Sequence, residues 1–183
     1  MRWIISLTAG LGLSGPALAD MEADFARAAS IFGPVTVETV LDDIDGEWLP
    51  LSTLANLTGE APSPGLATSL TGRICGLDPV RGSILTATGE SGFTVDVPSR
   101  DQALTYRFDW IGGAQFVRSV DAAALFSSLG LDAMKPERRL DAQAAALRSA
   151  ATVTAVYRVS PDMIVVASPD RTEIFGRCPR DNG

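Results

Sequence analysis

Two residue types decide at the outset which chemistry this chain can carry: it has two cysteines, Cys75 and Cys178, and no histidine. Without an imidazole, the Ser-His-Asp and Cys-His nucleophile pairs and every His-ligated metal site are absent. Carboxylates remain. Asp96, Asp109 and Glu173 fall on or near predicted strands, and glycoside chemistry would need two of them facing each other across a cleft. Each alternates with apolar neighbours, which predicts the outer face of a sheet instead. Asp42, Asp43 and Asp45 ahead of Gly46 look like part of a calcium loop. The register fails, because with Gly46 at the sixth position Leu41 and Ser52 stand where the terminal carboxylates are required. The glycines after residue 19 punctuate turns and form neither a phosphate cradle nor a Gly-x-Ser-x-Gly elbow. No catalytic residue, cofactor or metal is therefore assigned, and the expectation is a chain that acts by binding.

The two cysteines are far too distant for a redox-active Cys-x-x-Cys site. Their spacing suits a structural disulfide, which by closing a loop of about 100 residues would contribute roughly 4 to 5 kcal/mol. Such a bond belongs to an oxidising compartment, and residues 1–19 agree with that. Arg2 supplies a positive end, Trp3 to Leu13 an apolar stretch, and Ala17-Leu18-Ala19 a small-x-small pattern before Asp20. The expectation is a signal peptide over 1–19, cleaved between Ala19 and Asp20, and a single exported domain over 20–183, periplasmic or secreted. The chain of 183 residues carries a formal charge of −7 with no basic face, so nucleic acid is not an expected partner. No later apolar run is long enough to predict a membrane-spanning helix.

The elements that would position any site follow from periodicity. Phe25, Ala28, Ala29 and Phe32 lie at helical spacing ahead of Gly33-Pro34, and Val37, Val40, Leu41 and Ile44 share one face of a second short helix. Gly46 to Leu51 reads as a short strand, and Leu66 to Leu70 as a helical turn. From Ser83 the period becomes two. Ile84 to Ala87, Phe93 to Val97, Leu104 to Trp110 and Gln115 to Ser119 form a meander with connections too short for parallel crossovers. Asp121 is an N-cap for a helix over Ala122 to Leu129, and Pro136 opens another that runs to about Ala150 with Leu140, Ala144 and Leu147 on one face. Three strands follow: Val153 to Val159, Met163 to Ser168 and Thr172 to Cys178.

The predicted fold is α+β and mainly antiparallel β. It is a curled sheet, half-barrel or barrel of about seven or eight strands, with an N-terminal helical segment and a helical pair inserted before the last three strands. Closure is favoured because it removes exposed strand edges. Gly46-Glu47-Trp48 ahead of an antiparallel meander resembles the Gly-x-Trp of the first strand of lipocalins and related calycins. The resemblance implies a barrel plugged at one end by Trp48 and an interior cavity for a small apolar ligand, although the helical pair between strands departs from the lipocalin pattern.

Tyr106, Phe108 and Trp110, with Phe93 and Tyr157 on other strands, form a row that reads either as the wall of an apolar pocket or as a filled core. Arg107 and Arg158 fall on the opposite face of their strands and make a candidate partner-facing patch. The primary expectation is a non-enzymatic domain that acts by protein-protein interaction or envelope support. The alternative is carriage of a small apolar ligand, and a histidine-free enzyme is third. A cavity of about 300 Å³ or more inside the aromatic row would favour carriage.

Overall fold

A computed structural model of the chain describes residues 23, 25–30, 37–61, 63, 65–77, 81–98 and 103–179. The chain divides into two compact units, Met1–Gly33 and Pro34–Gly183. In the first, residues 25–30 are helical. The expected signal peptide and its cleavage point lie outside the described residues.

The second unit is a closed barrel of eight antiparallel strands in sequential order, β1 Gly46–Pro50, β2 Ser83–Ala87, β3 Gly92–Val97, β4 Leu104–Gly112, β5 Gln115–Val120, β6 Thr152–Ser160, β7 Met163–Ala167 and β8 Thr172–Arg177. β8 returns to β1, with Leu49 opposite Gly176 and Pro50 opposite Phe175. No strand of the ring is left with an open edge. The β4–β5 turn uses Gly112 and Gly113, both at positive φ, a conformation that side chains with a Cβ resist. β3 and β4 approach closely at Gly92, whose ideal Cβ would stand 2.7 Å from the Phe108 carbonyl oxygen.

Among the described residues, five α-helices decorate the ring. α1, Val37–Leu41, precedes β1. α2, Leu51–Thr58, and α3, Leu66–Ile74, lie between β1 and β2. Gly59 ends α2 in the left-handed conformation and returns its N–H to Ala55 and Asn56. α4, Ala122–Ser128, and α5, Pro136–Ala150, form the pair between β5 and β6. Asp121 caps α4 through the Ala124 N–H at 2.8 Å, and Pro136 occupies the first turn of α5. No helix among the described residues is long and apolar enough to cross a membrane.

The face of α5 differs from expectation. Leu140 is 75% exposed and Ala144 is also exposed, whereas Leu147 and Ala146 pack with buried Ala150 against Leu104 and Leu125. Docking across a barrel end presents a narrow contact at the last turns of the helix, so only its C-terminal half is covered.

Three cores result. The largest fills the ring, combining Val37, Val40, Ile44 and Trp48 with inward residues of the strands. A second packs α2 and α3 on the outside of β1 and β8 around Leu49, Leu51 and Leu70. There the disulfide Cys75–Cys178 joins the end of α3 to the end of β8, with Cα atoms 5.5 Å apart. The third seats α4 and α5.

Candidate ligand-binding cavity

Strand register defines two different ends. At the end where β1 begins and β8 finishes, Trp48 is wholly buried and donates its indole N–H to the Ile44 carbonyl at 2.8 Å. Arg177 and Arg158 stand over its ring, their guanidinium carbons 4.5 and 5.4 Å from the centroid. Arg158 also donates to the carbonyls of Val40, Ser160 and Pro161, which ties α1 to this end. Burial pushes the Arg158 guanidinium down from its ordinary pKa, with the Arg177 charge adding to that effect.

Above this plug, Phe93 stacks on Phe108 at 4.6 Å between centroids and meets Phe116 edge-on at 5.5 Å. Phe93 and Phe108 form the floor of a cavity of about 420 Å³. Its walls are Leu85, Val95, Ile164, Val166 and Phe175, and its roof is Leu125, Leu129, Ala146 and Ala150 of the helical pair. Polar groups gather toward the other end of the ring, where Tyr106, Arg118, Ser149, Ser168, Asp170 and Arg171 line the mouth.

Arg118 of β5 shares the inward phase because its cross-strand partner is Phe108. Its Nε donates to the Ala150 carbonyl at 2.7 Å, one Nη to the Ser149 carbonyl, and the other to Ser168 Oγ at 3.3 Å. It therefore caps the C-terminus of α5 while its guanidinium carbon lies 5.6 Å from the centroid of the Tyr106 ring. Burial is the main cause that lowers its pKa from the ordinary value, partly opposed by Tyr106 and Asp170. Asp170 accepts from Ser149 Oγ at 2.9 Å, a bond that holds its carboxyl below the usual aspartate value. Glu173 accepts from the backbone N–H and the hydroxyl of Thr53 in the first turn of α2, with Arg171 at 3.8 Å.

The expected site residues are thereby distributed. Phe93, Tyr106 and Phe108 line the cavity together. Trp110 lies beyond Phe108 toward the plugged end, 37% exposed, with its N–H on the Gly113 carbonyl at 2.9 Å. Tyr157 pairs with Val165, in the phase opposite to buried Val156 and Ile164, so it belongs to the outer face of β6. Arg107 is exposed and pairs with Asp109 at 2.8 Å. The two-arginine patch is corrected: Arg158 sits opposite wholly buried Ile164 and closes the barrel end, so it does not share a face with Arg107.

Glu173 is a second correction. It is 4% exposed rather than on an outer face, because β8 turns Glu173, Phe175 and Arg177 inward and leaves Ile174 outside. Asp96 pairs with Thr105, and Asp45 accepts from the Ala87 N–H at 2.7 Å. Arg118 carries no distinctive sequence signal. Its alternation with Phe116 and Val120 is the one mark that could have placed it inside.

Fold and cavity together define an up-and-down β-barrel plugged at one end and roofed by helices at the other. No family model, no curated protein and no solved structure matches the chain.

Proposed function

We propose that the chain is a non-enzymatic carrier of a small, mainly apolar molecule held inside the barrel. The observation that supports this reading is the cavity of about 420 Å³ between the Phe93–Phe108 floor and the α4–α5 roof. Small-molecule sites span about 300 to 1,000 Å³, with apolar walls and a few polar groups that orient the guest. Here the apolar groups lie deep and the polar ones at the mouth, so a guest gains burial without stranding a polar atom. The proposed setting is periplasmic or secreted, with residues 1–19 removed as a signal peptide. The tripartite pattern of that segment and the long-range disulfide support it.

Interaction with an envelope protein is the second reading. It is favoured by Val117 and Val153, cross-strand neighbours on the outer face that are 40% and 47% exposed. Native mass spectrometry of the chain purified from its own host, compared with the denatured sample, separates the two. A small mass lost on denaturation is expected. An apo mass that also fails to take up a neutral apolar probe would overturn carriage, and a co-purifying protein would favour the outer face.

A further inference from the structure

The polar mouth says which end of a guest it suits. Arg118, Asp170, Arg171 and Glu173 are the charged residues that line the cavity among the described residues. Glu173 is engaged by Thr53, and Asp170 is exposed and bonded to Ser149. Arg171 is an exposed side chain at the rim. Arg118 is different, being half-buried and bonded to two carbonyls and one hydroxyl, without a carboxylate at ion-pair distance among the described residues. A guanidinium has five N–H donors, so these bonds leave two unused. The Tyr106 hydroxyl, on the residue whose ring lies under Arg118, makes no hydrogen bond among the described residues. A half-buried cation that feels Asp170 only from beyond ion-pair distance is incompletely compensated, and an anion brought by a guest would complete the compensation.

We propose that the guest is an amphipathic molecule with a single anionic group, its apolar body against Phe93 and Phe108 and its anion on Arg118 beside Tyr106. The proposal rests on the carriage reading and deepens it. Because Arg118 also holds the last carbonyls of α5, one side chain secures both the roof and the guest's acidic end.

The test compares two probes with the same aromatic body, anilinonaphthalene sulfonate and its sulfonate-free parent N-phenylnaphthylamine, by fluorescence titration of the full chain at low and high salt. A charge-assisted hydrogen bond in a partly desolvated site should make the sulfonate bind about tenfold tighter, with the ratio falling as salt rises. Arg118→Gln should bring the ratio to about one, and Arg118→Lys should keep most of it. Equal affinities in the unaltered chain, or a ratio that survives Arg118→Gln, would overturn the proposal and leave carriage standing. Failure of both probes to bind would remove carriage and this proposal with it. If Arg118→Gln does not fold, the ratio in the unaltered chain and its salt dependence still decide.

Discussion

The guanidinium of Arg177 lies over the ring of Trp48, 4.5 Å from its centroid, so the last strand of the barrel covers the first at the plugged end. Arg177 also reaches the backbone carbonyls of Asp43 and Asp45 and the carboxylates of Asp43 and Asp162. A residue that is 9% exposed thus joins β1, β8, the segment after α1 and the β6–β7 turn.

Trp48→Ala should cost about 3 to 5 kcal/mol, since it empties the centre of the plug and removes the surface on which both arginines rest. Trp48→Phe keeps most of the volume but strands the Ile44 carbonyl, at about 1 to 3 kcal/mol. Urea unfolding would measure both. A loss below about 1 kcal/mol for Trp48→Ala would mean that this end is held by something else.

Oxidised protein should show no titratable thiol when unfolded without reductant; two per chain would contradict the Cys75–Cys178 bond. Cys178→Ala should cost about 2 to 5 kcal/mol. Hydrogen exchange should quicken first in α2 and α3, the elements that the bond fastens to β8.

Two glycines should respond oppositely to alanine. Gly92→Ala brings a methyl group against the Phe108 carbonyl at 2.7 Å and should destabilise by about 1 to 3 kcal/mol. Gly72 lies inside α3 with open space where a Cβ would stand, so Gly72→Ala should stabilise by about 0.4 to 1 kcal/mol. Thermal unfolding midpoints that move together would contradict the packing at β3–β4.

The bond from Ser149 to Asp170 ties the end of α5 to the β7–β8 turn and favours the ionised carboxyl. A carboxyl whose folded pKa lies below its unfolded one lends stability above the unfolded value and loses it as pH falls through the folded one. Acidification through and below the ordinary aspartate range should therefore loosen this tie. NMR titration should find the Asp170 midpoint below the ordinary aspartate value and raised in Ser149→Ala. An equal midpoint in both proteins would show that the hydroxyl does not hold it.

Val166→Phe, on the cavity wall, should reduce uptake of N-phenylnaphthylamine severalfold by occupying the space a guest needs. Isothermal titration beside a thermal melt separates lost space from lost folding. Undiminished uptake in a folded variant would place the probe elsewhere.

Much of the molecule is set by local pattern. Alternation from Phe93 to Val97 and from Leu104 to Trp110 determines strands, Asp121 and Pro136 set the starts of the helical pair, and two lone cysteines determine their bond. Each rests on chain period, a cap or elimination, which need no partner from afar. Local pattern does not say which phase of a strand faces inward once a sheet curls shut. In β8 both phases carry a large apolar residue, Ile174 or Phe175, and pairing with β1 and β7 decides for Phe175, burying Glu173 and Arg177 with it. The same closure turns Arg158 from an outer face into the plug and carries Tyr157 outside. Arg118 becomes a mouth residue only when the end of α5 comes to lie on it. Composition and period thus determined a disulfide-tied, histidine-free antiparallel β protein. Ring closure and helix docking decided that it encloses a cavity and which charge faces it, because both depend on contacts between distant segments that no short window of sequence contains.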